Sequence, residues 1–316
     1  MMQYLLLCVV LIGPLQLSAY SGSIVYRDKV DSTVNCYLLY LPELQPGERV
    51  QGLVVRDYSQ LPDTSAPSRF QFTDLMLKRG WAVVYTVTSS VYPELYYHHA
   101  PMAMLDSIIH EVLVENDIDP KRIVVGGISA SGTRALRYAQ WCQQGRSPFQ
   151  HHVAAVFAVD PPLDLERFYR SADAIVDRNV PGSNRYESQL MIKVLPEQLG
   201  GSPDAVPEAY HKASVYARSA KDGGNVGLLM EIPIVLYHEP DVDWWVKERA
   251  ADWNDFNSID IVSCYLQIRR LGGTSVELVT THGKGFDAQG NRQPHSWSIV
   301  TEPDLVRWIV DTVKKY

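Results

Sequence analysis

The sequence of 316 residues is short of cysteine and of basic residues, and each shortage argues against a class of protein. Its four cysteines include no Cys-x-x-Cys pair, so neither a zinc site nor a dithiol redox centre is indicated. Lys and Arg number 29 against 36 Asp and Glu, which gives a formal net charge of −7. This balance argues against a nucleic-acid partner. Apolar residues make up 46% of the chain, an ordinary value for a globular protein with a sizeable core.

The amino-terminal residues carry an apolar run that is too short to span a bilayer. Leu5 to Ile12 are all apolar, and the small-residue site Leu17-Ser18-Ala19 follows. This outline predicts a secretory signal peptide over residues 1–19, although Met1 to Tyr4 lack the usual Lys or Arg. The alternative is a buried amino-terminal strand. We expect a secreted or periplasmic protein with no stable membrane insertion after signal cleavage.

Three cysteines follow the predicted cleavage site, at Cys36, Cys142 and Cys264. They are far apart in the chain, and an odd number leaves at least one free thiol. We expect all three to be buried as small apolar residues.

No metal or organic cofactor is indicated. The adjacent histidines His98-His99 and His151-His152 suggest metal ligands at first, but neighbouring side chains point in different directions. Since no third ligand is placed to join either pair, we interpret them as solvated loop residues.

Short apolar segments alternate with amphipathic segments along most of the chain. The predicted strands are 23–26, 34–41, 52–55, 81–87, 123–125, 153–159, 232–237 and 276–280, and the first two form an antiparallel hairpin. The predicted helices are 70–78, 101–114, the segment after Ser129, 259–271, and a last helix from Pro303 with Thr301 and Asp304 placed as a capping box. This alternation predicts an α/β fold, with a mostly parallel sheet covered by helices on both faces.

Residues 161–231 interrupt the alternation, because they are too many for an ordinary crossover between neighbouring strands. We predict a helical lid-like insertion over the carboxyl edge of the sheet, within one domain of residues 20–316. The alternative is a peripheral subdomain that contacts no site.

A serine on a tight turn is the strongest chemical signal. In the segment Arg122 to Arg134 a short apolar strand leads through Gly126-Gly127 to Ser129, and small residues then open a helix. Such a turn exposes the serine hydroxyl beside the free N–H groups of the helix. The pattern G-x-S-x-G is matched except that Ser131 replaces the last glycine, with Gly132 one step later. We predict that Ser129 is a nucleophile; the alternative is a Gly/Ser turn without chemistry.

A serine nucleophile needs a base, and the base needs a carboxylate to orient it. Asp241 directly follows a proline after the strand 232–237, and it is our preferred acid. Asp243 is the alternative acid, although it could merely cap the next helix. Asp160 is a third possibility, which we interpret rather as a turn residue before two prolines.

Two histidines lie between the last strand and the last helix. His295 follows a long flexible loop that can fold back over the sheet edge, and it is our preferred base. His282 is the alternative base, but it lies almost at the strand end and would need a stretched loop to reach Ser129.

The order of serine, acid and histidine resembles the α/β-hydrolase superfamily. The residues that carry this resemblance are the segments 127–132, 239–245 and 294–297, and the last two resemble secreted bacterial members of unassigned substrate. The resemblance implies the α/β-hydrolase fold and a triad of Ser129, Asp241 and His295. It also implies an oxyanion hole from the N–H of Ala130 and from the loop that contains Tyr58. The usual His-Gly of that loop is absent here.

The sequence therefore predicts a secreted serine hydrolase that cleaves a small-molecule or carbohydrate-linked ester through an acyl-enzyme. Trp244, Trp245 and Trp297 could stack on a sugar or an aromatic acyl group, although core packing is expected for at least two of them. One alternative is a serine peptidase of the prolyl-oligopeptidase type. The other is a non-catalytic binding protein on the same fold.

Overall fold

A computed structural model describes residues 22–28, 32–63, 71–179 and 184–315. The predicted signal peptide, residues 1–19, lies outside the described residues. In these ranges the helices are all too short or too polar to cross a membrane.

The described residues contain one mixed sheet of eight strands, in the order β1-β2-β4-β3-β5-β6-β7-β8. The strands are β1 Ser23–Tyr26, β2 Cys36–Tyr40, β3 Leu53–Asp57, β4 Ala82–Val87, β5 Ile123–Ile128, β6 Val153–Val159, β7 Ile234–His238 and β8 Val276–Thr280. β1 and β2 pair as an antiparallel hairpin, β2 runs antiparallel to β4, and the remaining neighbours are parallel. The predicted fold class is confirmed.

Helices connect the strands and cover the sheet. They are α1 Gln71–Leu77, α2 His99–Glu115, α3 Ala130–Gln143, α4 Leu165–Arg178, α5 Arg185–Leu199, α6 Pro207–Ala213, α7 Val242–Arg249, α8 Asn257–Arg270 and α9 Glu302–Val313. The predicted capping box before α9 is wrong, because the side chain of Thr301 makes no cap and its hydroxyl accepts a hydrogen bond from the Lys284 ammonium instead.

The core has two layers, one on each face of the sheet. One layer joins the sheet to α2, α3 and α8 through side chains such as Ile108, Leu136 and Ile261. The other joins it to α1 and α9 through Phe72 and Ile309. β5, β6 and β7 are buried on both faces, which explains why they are apolar except for His238 at the end of β7. Cys36, Cys142 and Cys264 are buried free thiols, as predicted.

The segment between β6 and β7 contains α4, α5, α6 and a stretch of 3₁₀ turns, Lys221–Leu229. Its helices form a small apolar cluster, which includes Leu165, Met191 and Tyr210, together with Leu95 and Tyr97 from the loop before α2. Ala130, the first residue of α3, packs against this cluster. The insertion therefore covers the turn that carries Ser129.

The turn from β5 into α3 depends on glycine because the chain is crowded there. A Cβ atom on Gly126 would lie 2.5 Å from the ring of Phe157, and one on Gly127 would lie 2.4 Å from the Cβ of Ser131. A Cβ on Gly132 would lie 3.0 Å from the carbonyl oxygen of Gly127. These glycines let the first turn of α3 approach the end of β5 closely, and the small side chain of Ser131 fits in place of a fifth-position glycine.

We predict that Gly127→Ala destabilises the protein. The added methyl group would overlap Ser131, and overpacking of this kind costs about 1–3 kcal/mol in the free energy of unfolding. Gly227→Ala is the matched control, since a Cβ there meets nothing within 4 Å. Urea unfolding measures both variants. Equal transition midpoints for the two would show that the turn is not crowded as described.

Candidate active site

Ser129 lies at the sharp bend between β5 and α3. Its backbone has φ 55° and ψ −128°, a conformation that a non-glycine residue adopts only when its surroundings enforce it. The Ser129 N–H donates to the carbonyl of Val159 at 2.8 Å, which ties the bend to β6. The next N–H groups, of Ala130 and Ser131, belong to the first helical turn, where no intrahelical acceptor exists. The bend thus places a hydroxyl beside backbone donors.

A buried ion pair fixes the start of α3 to the sheet. Arg134 Nη1 lies 2.8 Å from Asp57 Oδ2, and both side chains are almost fully buried. The Asp57 carboxylate also accepts from Thr86 and Tyr96, and the Asp57 carbonyl accepts from the Ser131 hydroxyl. Removing one partner of such a pair typically costs about 3–5 kcal/mol. The Asp57 network therefore holds the bend in a fixed position relative to β3 and β4.

His295 is paired with Asp160 rather than with Asp241. His295 Nδ1 lies 2.6 Å from Asp160 Oδ2, and the imidazole side chain is 29% exposed. Burial lowers the pKa of His295, but the hydrogen bond to Asp160 and its negative charge outweigh this, so the net pKa lies above the ordinary value. This contact fixes one ring nitrogen and leaves Nε2 for chemistry.

Asp160 is held rigidly at the end of β6, the strand beside the one that carries Ser129. Its backbone has φ 46°, its N–H donates to Tyr237 at 2.8 Å, and its carbonyl accepts from Asn257 at 3.0 Å. Two hydrogen bonds thus fix the backbone from which the carboxylate projects. The sequence contained a signal for this role, because Asp160 directly follows a fully apolar strand and precedes Pro161 and Pro162, which restrict the chain.

The geometry contradicts our choice of Asp241 as the orienting acid. Asp241 is the N-cap of α7, where it accepts from the N–H of Trp244 at 3.1 Å, and its other oxygen lies 2.7 Å from Arg292 Nη2. The same guanidinium binds Glu239, whose pKa is raised by burial but is held below its ordinary value by Thr281, Lys284 and Arg292. Asp241 therefore anchors the loop before His295. Asp160 occupies the position beside the His295 imidazole that we predicted for Asp241.

The two alternative residues also lie away from Ser129. Asp243 is in the exposed first turn of α7, and His282 is exposed at the end of β8. Both line a separate groove together with Asp241 and Arg292. The structure therefore does not bring either of them to the serine.

Tyr58 is not placed as the second oxyanion donor. Its backbone N–H already donates to the carbonyl of Thr86 at 2.8 Å. Its phenol accepts a hydrogen bond from Arg56 at 2.5 Å, and burial raises its pKa. Residues 64–70, the rest of that loop, lie outside the described residues. Ala130 follows Ser129 directly as the first residue of α3, and its role as an oxyanion donor stays a prediction.

Ser129 and His295 line the same cavity, which lies beneath α4 and α5 of the insertion. Within the described ranges, no hydrogen bond joins the two side chains. Catalytic hydrogen bonds are often long or poorly aligned in an unliganded enzyme and shorten when substrate binds. The structure thus brings together the predicted nucleophile and base, with a different acid.

The three tryptophans have different environments. Trp245 lines the cavity of Ser129. Trp244 packs edge-on against Trp245, with ring centroids 5.1 Å apart. Trp297 lies in the core against Phe72 and Phe157. Only Trp245 of the three is placed to contact a molecule in the cavity.

The described part of the chain contains no cluster of three or more His, Cys, Asp or Glu residues that could hold a metal ion. His98, His99 and His152 are exposed, in agreement with the prediction. His151 is buried, contrary to the prediction, and its Nδ1 lies 2.9 Å from Asp106.

We predict that Asp160→Asn lowers the pKa of His295. The mutation removes the carboxylate that favours the imidazolium, and burial, which disfavours charge, then dominates. An NMR titration of the imidazole protons measures this pKa directly. Asp241→Asn is the control and is expected to leave the pKa of His295 nearly unchanged. The opposite pattern would restore Asp241 as the partner of His295.

Comparison with known proteins supports the fold through structure rather than sequence. No protein-family model matches the chain, and no curated protein matches it in sequence. Solved structures do match. Esterase B from Lactobacillus rhamnosis superimposes with a TM-score of 0.59 at 13% identity, over 93% of this chain and 87% of that chain.

Two larger proteins match over part of their length. Puromycin hydrolase gives a TM-score of 0.54 at 16% identity, and the acylaminoacyl peptidase of Pyrococcus horikoshii gives 0.54 at 15% identity. The matches cover 93% and 89% of this chain, but it spans only 39% and 40% of theirs. These identities establish architecture alone. With its strand order and the bend at Ser129, the chain adopts the α/β-hydrolase fold.

Proposed function

We propose that the protein is a serine hydrolase that cleaves an ester through an acyl-enzyme. The Ser129 oxygen attacks the carbonyl carbon while His295 Nε2 accepts the hydroxyl proton. The imidazolium that forms is stabilised by Asp160, and it then protonates the departing alcohol. Water, deprotonated by the same histidine, attacks the acyl-enzyme and releases the acid.

One observation carries this proposal. A serine in a strained conformation at a helix N-terminus shares a cavity with a histidine whose Nδ1 is held by a buried carboxylate. A serine hydroxyl is a poor nucleophile alone, and these are the groups that activate it. A non-catalytic binding protein has no need for a strained serine and an oriented histidine at one cavity.

The developing negative charge needs donors, and the first turn of α3 supplies one. The N–H of Ala130 follows the nucleophile directly, and the helix dipole favours a negative charge at this position. Loss of one such donor typically lowers turnover about 10²–10³-fold.

A second candidate reaction is hydrolysis of an amide or peptide bond. It is favoured by the likeness of the fold to the acylaminoacyl peptidase, which is named as a peptidase. A panel of p-nitrophenyl esters and aminoacyl p-nitroanilides distinguishes the two reactions.

We further propose that the protein is secreted or periplasmic and acts on a small-molecule or carbohydrate-linked substrate. Detection of the mature protein in the culture medium or the periplasm tests the location.

We predict that a fluorophosphonate probe labels the protein at Ser129. The probe reacts only with a serine whose proton a base can remove, so Ser129→Ala abolishes labelling and His295→Ala reduces it strongly. Ser90→Ala is the control, because Ser90 is exposed and does not line the cavity of Ser129. Mass spectrometry of the labelled peptide locates the adduct. An unlabelled wild-type protein would contradict the proposal.

We predict that Asp160→Asn lowers kcat on an activated ester by about 10⁴-fold, since loss of the orienting carboxylate favours the wrong tautomer. Asp241→Asn is expected to change kcat by only a few-fold.

Because the base must be neutral, wild-type kcat/KM rises as pH increases through the pKa of His295, which lies above the ordinary histidine value. Initial rates across pH measure both effects. Equal losses in the two variants would contradict the assignment of the acid.

A further inference from the structure

The cavity at Ser129 is enclosed by the insertion and is small, with a volume of about 70 Å³. Its apolar lining includes Phe168, Ile175, Met191 and Trp245. The titratable side chains that line it are His295 and two carboxylates, Glu187 and Asp255. In the part of the chain that the structure describes, neither lysine nor arginine lines this cavity.

The two carboxylates are in different states. Asp255 is buried, forms an ion pair with Arg178 and accepts from the Ser171 hydroxyl at 2.5 Å. Its charge is therefore already compensated. Glu187 is exposed in the first turn of α5, and its carboxylate makes no hydrogen bond or ion pair with another described residue.

Glu187 is close enough to affect the reacting groups. Its negative charge contributes to the raised pKa of His295, although less than Asp160 does. Arg249 acts on His295 in the opposite direction, but it does not line the cavity and lies over the ring of Trp244, 5.5 Å from the centroid. Among the described residues, the charge that faces the cavity without a compensating partner is thus the carboxylate of Glu187.

A carboxylate without a partner at the wall of a cavity favours a cation, because it can accept a charge-assisted hydrogen bond from it. Since Glu187 is exposed, water screens part of this attraction. A neutral ligand leaves that charge unused, and an anionic ligand is repelled by it. The first turn of a helix also favours a negative side chain through its dipole. That effect explains why Glu187 is tolerated there, but it does not require the residue to face the reaction cavity.

We propose that Glu187 binds a cationic group of the substrate, such as an ammonium, so that the enzyme prefers amine-bearing esters over neutral esters of the same shape. This inference rests on the proposed hydrolase function, since it assigns the cavity of Ser129 and His295 to the substrate. Glu187 acts here as a specificity-determining residue.

The test compares ligands that differ only in charge. L-alaninamide carries an ammonium where isobutyramide, of nearly the same shape, carries a methyl group. At neutral pH we expect L-alaninamide to slow fluorophosphonate labelling of Ser129 at concentrations about two- to fivefold lower than isobutyramide does, a typical gain for an ion pair with an exposed carboxylate. The difference between the two ligands should disappear in Glu187→Gln.

Turnover gives a second readout with the same logic. The ratio of kcat/KM for an L-alanine ester over the matching isobutyrate ester is expected to fall about two- to fivefold in Glu187→Gln. A purely electrostatic effect of Glu187 on His295 would change both rates together and leave the ratio intact. Glu197→Gln is the matched control, because Glu197 is exposed on the same helix and does not line the cavity.

The possible failures are distinguishable. If wild-type Ser129 is not labelled by the fluorophosphonate, the hydrolase proposal fails, and the inference fails with it. If Ser129 is labelled but the cationic ligand gives no better protection, the inference alone is overturned. A preference that persists in Glu187→Gln also overturns it. A preference that is lost in Glu187→Gln and kept in Glu197→Gln supports it.

Discussion

The hydrogen bond between His295 and Asp160 is the contact on which the proposed chemistry depends. It joins residues that are 135 positions apart, one at the end of β6 and the other in the loop before α9. Asp160 and Ser129 lie on neighbouring strands, so the sheet fixes their separation. The histidine belongs to a loop and not to the sheet. Its position is therefore set by whatever holds that loop against the sheet edge.

Arg292 provides that restraint. Its guanidinium binds Glu239 and Asp241 at the end of β7, and its second nitrogen donates to the carbonyl of Gly285 at 2.6 Å within the loop itself. Charge-assisted hydrogen bonds to a planar guanidinium fix direction as well as distance. The acid that the sequence led us to choose thus contributes to the site in another way, by holding the loop from which the imidazole reaches Asp160.

Much of the architecture could be predicted, because the parallel strands are buried on both faces and therefore appear in the sequence as short apolar runs. β1, β6 and β8 have the predicted bounds, and β5 extends beyond its prediction through Gly126-Gly127 to Ile128. Ser129 could be predicted because crowding at its turn requires small residues, and His295 because its loop is long enough to return.

The acid could not be predicted, because its identity depends on competition for partners. Asp160 and Asp241 both follow apolar strands and look equivalent in the chain. They differ because Arg292, 51 residues after Asp241, binds Asp241 and does not bind Asp160. Tyr58 is a similar case, since its N–H is used by Thr86 of the neighbouring strand. Such contacts arise only when the fold brings distant segments together.

The placement of Asp160 has a consequence for how this protein could diversify. Asp160 ends β6 immediately before the insertion, and both Ser129 and the backbone contacts of Asp160 to β7 lie outside the insertion. Ser129 and Asp160 are therefore anchored in the sheet, whereas Glu187 and most of the apolar cavity wall belong to the insertion. Substitutions at the cavity wall of the insertion would change ligand preference and leave the anchoring of Ser129 and Asp160 in place.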